Sequence, residues 1–193
     1  MTFRFSLLLF GLGLLTFRSQ YLAAQDTINE DLIVAPAISV NYGGFLNLSS
    51  ELQSYRQERL VEINEFASML VEDGVLLLDT RSAAAYRAIH IKGAIHINFS
   101  DFTEEKLASI IPDKETKILI YCNNNFTHTA PSLANKAAPL ALNIPTFINL
   151  YGYGYENIYE LKGEYTSEQA EQYLEFEQST LPSLLNVAPD KKE

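Results

Sequence analysis

Lys117–Ala130, KILIYCNNNFTHTA, is the stretch around which the rest of the chain is read. Ile118, Leu119, Ile120 and Tyr121 make a short strand-favouring run that stops at Cys122, the single cysteine of 193 residues. A polar run without a regular period follows, Asn123 to Thr129. From Ala130 the sequence reads as a helix with Pro131 in its first turn, extending over about residues 129–142. A lone thiol is therefore expected where a strand hands over to a loop and a helix. At such a junction several backbone N–H groups can converge on one atom, and a helix N-terminus adds partial positive charge; both favour thiolate over thiol. The pattern points to a nucleophile, against the competing reading of a small buried hydrophobe.

Outward from this stretch the chain alternates. Upstream, Arg59–Ile63 reads as a short strand, Asn64 caps a helix to about Glu72, and Asp73-Gly74 turns into Val75–Asp79 (VLLLD). A continuous apolar run of that kind marks a strand buried on both faces. Ser82–Arg87 is a short helix, Gly93–Ile97 another strand, and Phe102–Ile111 a helix capped by Thr103. Downstream, Pro145–Leu150 (PTFINL) is predicted as a fifth strand, Gly152–Leu161 as a tyrosine-rich helix or turn, and Thr166–Gln178 as an acidic amphipathic helix. Strands alternating with helices argue for a parallel sheet covered on both sides, in which ligands bind at the C-terminal ends of strands. Cys122 is at one such end.

Composition bounds the function. The net charge is -10, and residues 1–24 carry Arg4 and Arg18 but no acid, so without them 12 basic residues face 24 acidic ones. Nucleic acid and anionic membrane surfaces are poor partners for such a surface. Residues 1–24, with Arg4, the apolar run Phe5–Phe17 and Ala23-Ala24, have the layout of a cleaved secretory signal peptide, and the run is short for a membrane span. The protein is expected to be exported, periplasmic or secreted, with no stable membrane span after cleavage. One cysteine excludes an internal disulfide, and the spacing of Cys122 to His90, His96 and His128 fits no metal site. No cofactor is implied. Residues 25–56 read as a weakly patterned extension with a short helix near Ser49–Glu58 and no nameable chemistry. The domain proper spans 57–165, and 166–193 form a C-terminal helix and a tail that frays from Leu181.

Three segments together resemble the rhodanese-like domains of sulfurtransferases. Leu77-Leu78-Asp79-Thr80-Arg81, Ala85-Tyr86-Arg87 and His90–Ile97 (HIKGAIHI) resemble that family's first signature. The strand–Cys122–loop unit is similar to its active-site loop, and Asn149–Tyr155 (NLYGYGY) to its closing motif. The resemblance implies a three-layer fold with a central, mainly parallel five-stranded sheet flanked by helices. It also implies Cys122 as carrier of a persulfide, cradled by the loop Asn123, Asn124, Asn125, Phe126, Thr127 and His128, with Asp79 and Arg81 supporting the loop from the neighbouring strand end. The partner is then a small sulfur donor or a protein persulfide.

Two departures qualify the resemblance. The loop arginine usual five positions after the cysteine is Thr127 here, and no Lys or Arg occurs between Cys122 and Lys136. Losing an ionic contact of roughly 1.5–3 kcal/mol weakens binding of a doubly charged donor such as thiosulfate about ten- to a hundredfold. In the first signature, Ala85 and Ile89 replace the usual acid and glycine. A sulfurtransferase using a donor other than thiosulfate is the leading expectation, and a non-catalytic rhodanese-fold binding module with a degenerate loop the alternative. A phosphatase would need an arginine where His128 stands. His128 reads either as a substitute for the missing cation or a proton donor, or as a solvated or capping residue, with the latter favoured; the three asparagines serve the loop's turns, and His90 and His96 are packing residues. Tyr151, Tyr153, Tyr155 and Tyr159 either wall a pocket or pack a helix, with packing favoured. Asn47, Asn98 and Asn125 head glycosylation acceptor patterns, and a glycan at Asn125 would bury the thiol. A thiol pKa well under ~8.5 would mark a loop that activates its cysteine, and a normal or raised one a retired site.

Overall fold

The computed structural model describes residues 40–127 and 133–178. The expectations for the signal peptide, for His128, for the first turn of the helix after the loop and for the tail fall outside them. Helix α1 (Tyr42–Gln57) leads into strand β1 (Leu60–Val61) and helix α2 (Ile63–Leu70). Then come β2 (Leu76–Asp79), α3 (Ala83–Ala88), β3 (His90–Ile91), β4 (Ile95–His96) and α4 (Glu104–Ile110). Strand β5 (Ile118–Tyr121) enters the cysteine loop, and α5 (Asn143–Gly152), β6 (Ile158–Leu161), α6 (Ser167–Ala170) and β7 (Phe176–Glu177) follow among the described residues. Ser82 and Thr103 cap α3 and α4 by accepting N–H bonds from Ala85 and Lys106.

The main sheet has five strands in the order β1-β6-β5-β2-β4, every neighbouring pair parallel. Alternation along the strands divides two cores. Leu77, Leu119, Tyr121 and Leu161 face one layer with Phe66 and Phe126, while Leu78, Ile118, Ile120 and Ile158 face the other with Leu107, Phe147 and Leu150. Because all five strands run the same way, their C-terminal ends share one edge: Asp79 lies abreast of Tyr121 and of His96. That edge carries Cys122.

Four expectations are corrected. Pro145–Leu150 is the body of α5, not a strand: Pro145 sits in the first turn, where its missing N–H is not needed, and Thr146, Phe147, Ile148 and Leu150 are buried. The fifth strand is β6, reached through the turn at Gly154, whose φ of +83° suits glycine. In the described part of 129–142 there is no α-helix: Leu133 and Ala138–Leu140, the latter containing Pro139, have 3-10 geometry. Thr166–Gln178 is helical only over α6; Phe176 then extends to pair with Ile91 in an antiparallel ribbon and packs edge-on to Phe126 at 5.4 Å. A continued helix would forgo both contacts. Asn64 lies within α2, whose N-cap is Glu62.

Candidate active site

Cys122 follows β5 in extended backbone, and Asn123–Asn125 form a 3-10 turn directly after it. The turn is held from inside. Asn125 Oδ1 accepts the Cys122 N–H at 2.8 Å and an Asn143 Nδ2–H at 3.0 Å, while Asn125 Nδ2 donates to the carbonyls of Leu161 (2.7 Å) and Gly163 (2.9 Å). Its side chain thus joins the thiol's backbone to the ends of β6 and α5. Asn125 is buried with this amide fully engaged, which rules out a glycan there. Beyond it the chain runs beside the continuation of β6, with Tyr165 N–H bonded to Asn125 O and Thr127 N–H to Tyr165 O, each at 2.9 Å. Phe126 is buried against Tyr121 at a ring separation of 6.0 Å.

From the neighbouring strand end, Asp79 and Arg81 make a closed unit. Arg81 Nε and Nη2 hold both oxygens of Asp79, and Tyr121 Oη donates to Asp79 Oδ2 at 2.6 Å. Arg81 also donates through Nη2 to Ile89 O at 2.7 Å and through Nη1 to Asn123 Oδ1 at 3.0 Å. The guanidinium therefore ties β2 to the first residue of the thiol loop. Burial, and then the Asp79 carboxylate, push the Tyr121 hydroxyl well above its ordinary range, so it stays protonated as a donor.

His90 and His96 stack on the ring of Tyr86, with centroids 3.8 and 4.7 Å from it, and each donates a ring N–H to a backbone carbonyl, Tyr86 O and Arg81 O. They are packing residues. So are the tyrosines: Tyr155 donates to Ile111 O, Tyr153 to Phe102 O, Tyr151 packs edge-on to Tyr55, and Tyr159 lies under Arg59. None of them lines the cavity at the thiol.

That cavity measures about 420 Å³ and is walled by Thr80, Arg81, Phe99, Cys122 and Lys136 among others. Lys136 is a cation that the loop's sequence did not show. Asn124 clamps its backbone reciprocally, donating to Lys136 O at 2.6 Å and accepting from Lys136 N–H at 3.1 Å. Among the described residues no carboxylate pairs with its ammonium. No group of three or more His, Cys, Asp or Glu among them is placed to hold a metal ion.

The electrostatics at sulfur oppose one another. Cys122 is 1% exposed, and this burial pushes its thiol pKa up. Backbone N–H groups of Asn143, Asn124 and Leu142 pull it down, and the Glu160 carboxylate pushes it up. A helix N-terminus does face the sulfur, but it is that of α5, which the sequence reading took for a strand. Burial is the largest of these effects and the thiol is raised, the outcome that the sequence reading assigned to a retired site. The alkylation rate of Cys122 against pH is expected to show a midpoint above the ~8.5 of a free thiol; a midpoint below it would mean that the N–H groups outweigh desolvation.

Sequence reasoning missed Glu160 and Arg56. Glu160 is 5% exposed and bonded by Arg56 through Nε–Oε2 (2.7 Å) and Nη2–Oε1 (2.6 Å). An acid at an inward position of the apolar stretch Ile158–Leu161 was the available signal.

The family model of the rhodanese-like domain matches residues 62–171, more than half of the chain. The chain belongs to the rhodanese-like domain family. Solved structures similar to this rhodanese-like chain include the rhodanese-like domain of the Alr3790 protein from Anabaena sp., 19% identical over 70% of this chain and 87% of that one, with a TM-score of 0.45. The BH2092 protein from Bacillus halodurans is 20% identical over 69% of this chain and 86% of its own, with a TM-score of 0.45. A thiosulfate sulfurtransferase from Pseudomonas aeruginosa is 18% identical over 62% of this chain and 19% of its own, with a TM-score of 0.44. No curated protein matches the chain. The rhodanese-like family model begins after α1, so Arg56 reaches the sheet from outside the matched region.

Proposed function

We propose that this protein is an exported rhodanese-like sulfurtransferase that carries sulfane sulfur as a persulfide on Cys122 and takes it from a donor other than thiosulfate. The observation that carries this reading is the placement of one thiol at the floor of a cavity of about 420 Å³, with the N–H groups of Asn124, Leu142 and Asn143 directed at its sulfur. The Cys122 thiolate attacks the outer sulfur of a persulfide donor R–S–SH. The Sγ–S bond forms, the donor S–S bond breaks, and its electron pair leaves with R–S⁻. An acceptor thiolate or other nucleophile then attacks the outer sulfur of the Cys122 persulfide, and the electron pair of that S–S bond returns to Sγ. The three N–H groups stabilise the anion at Sγ in both steps.

The donor follows from charge and size. Arg81 is spent on Asp79, and Lys136 is the other cation among the residues lining the cavity, so a dianion meets little positive charge there. The cavity has room for the body of an organic persulfide, small or protein-borne, with Phe99 as an apolar wall. A raised thiol pKa lowers the thiolate fraction but makes the remaining thiolate more nucleophilic, which recovers about half of the loss on a logarithmic scale. The same raised pKa is the observation that favours the second reading, a binding module with a retired thiol.

Steady-state transfer to an acceptor thiol, compared across donors, separates the readings. Organic persulfides are expected to exceed thiosulfate in kcat/KM by at least about tenfold, and Lys136→Ala is expected to penalise anionic donors more than neutral ones. Absence of transfer from every donor, with the fold intact, would favour the binding module. Export rests on the residues 1–24 pattern and is tested by the N-terminus of the mature protein recovered from outside the cytoplasm.

A further inference from the structure

The Arg56–Glu160 pair is an unusual object for the position it occupies. Glu160 lies in the middle of three strands, paired in register with Leu60 of β1 and Ile120 of β5, on the face that packs Phe147, Leu150 and Tyr155. An ionised carboxylate there costs several kcal/mol in desolvation, and apolar residues of similar volume often serve stability as well as or better than a buried pair. Its counter-charge comes from α1, which precedes the region matched by the family model. The guanidinium grips both oxygens, which favours the carboxylate, while burial is the larger effect and raises the pKa of Glu160 above its ordinary value.

Glu160 is close to the thiol by register: it pairs with Ile120 of β5, and Cys122 follows two positions on in extended backbone, on the same face of the sheet. The Asn143 side chain lies near enough to Glu160 to lower the pKa of its carboxyl, and its Nδ2 donates to Asn125 Oδ1, which accepts the Cys122 N–H, while its own Oδ1 is buried without a hydrogen-bond partner among the described residues. Asn143 is the first residue of α5, and its own N–H is one of those directed at Cys122 sulfur. One asparagine therefore answers to the carboxylate on one side and to the thiol on the other. We propose that Arg56 and Glu160 are positioning residues for Cys122, through which helix α1 sets both the placement of Asn143 and the charge that the sulfur experiences. The inference rests on Cys122 being the reactive group.

The sign follows from the charges. The Glu160 carboxylate disfavours a second anion at Cys122, and the Arg56 guanidinium offsets it, so the sulfur feels the balance of the pair. Other charged groups near the two ends are Arg59, over the rings of Tyr55 and Tyr159, Arg81, held by Asp79, and Lys136, which lines the cavity and whose backbone is clamped by Asn124. Glu160→Gln keeps the shape and hydrogen-bonding capacity while leaving the guanidinium uncompensated, which favours thiolate. Arg56→Gln leaves the carboxylate uncompensated, which disfavours it.

The test is the pH profile of Cys122 alkylation in the full chain for the wild type, Glu160→Gln, Arg56→Gln and the double variant. Glu160→Gln is expected to move the midpoint down by about one unit, which is tenfold more thiolate at any pH below it. Arg56→Gln is expected to move it up, and the double variant to return towards the wild type. A merely structural role would move both single variants the same way or neither, and either result in folded protein overturns the proposal. If Glu160→Gln does not fold, Arg56→Gln decides alone: a rise supports the proposal, and an unchanged or lowered midpoint overturns it. Alkylation reads thiol acidity whether or not sulfur is transferred, so failure here and failure of the sulfurtransferase reading are separate outcomes.

Discussion

Arg81→Met is expected to lower the free energy of unfolding by about 3–5 kcal/mol, the cost of breaking a buried pair by removing one partner. Asp79 is 0% exposed and Arg81 3% exposed. Without the guanidinium, the carboxylate keeps only the Tyr121 hydroxyl at 2.6 Å and the backbone N–H of residue 81 at 3.0 Å. The carbonyl of Ile89 and the side-chain oxygen of Asn123 lose their donors in the same change. Methionine replaces the apolar volume but none of the five N–H groups, so the loss is of charge and hydrogen bonds rather than packing. Chemical denaturation of wild type and variant gives the difference. A loss under about 1 kcal/mol would mean that water or a rotated Asp79 takes over, and the buried unit would then contribute far less than its geometry implies.

Cys122→Ser is expected to abolish sulfur transfer from every donor, a drop of at least about a thousandfold, because a serine hydroxyl is barely ionised at neutral pH and forms no stable bond to sulfane sulfur. The fold should survive. Serine fits the space, and its oxygen can accept the N–H groups of Asn124, Leu142 and Asn143 that now face sulfur. Near-wild-type thermal unfolding beside lost transfer therefore separates a chemical role from a structural one. Transfer retained in the serine variant would move the chemistry elsewhere, and unchanged binding of a protein partner would favour the module reading.

Much of this was legible in residues. VLLLD and ILIY carry no polar residue until their last positions, which is why both central strands and their shared C-terminal edge could be placed. Asp79 and Arg81 stood out because two charges end an apolar strand, and the structure brings them to the first loop residue. The chain from Asn143 to Leu161 was misread for a physical reason. Ile144, Phe147, Ile148 and Tyr151 have helical spacing, but the run is short and contains Pro145, which a reader takes as a break before recognising it as first-turn proline. That error hid the helix whose N-terminus faces the thiol. The sign of the thiol's pKa was not readable either, because it depends on how completely β5, α5 and the loop close over sulfur. Arg56 could not be found from sequence at all: it is one surface-type residue on a helix of weak amphipathicity, and its meaning comes from a carboxylate 104 positions later.

The central claim is that Cys122 holds a sulfane sulfur. Intact-mass spectrometry of the full chain after exposure to an organic persulfide, followed by peptide mapping, tests it most directly. The account predicts a gain of one sulfur atom located on Cys122, removed by a thiol acceptor and absent from Cys122→Ser. No such gain from small organic persulfides, from thiosulfate or from a protein persulfide, with the thiol still titratable by an alkylating reagent, would contradict it.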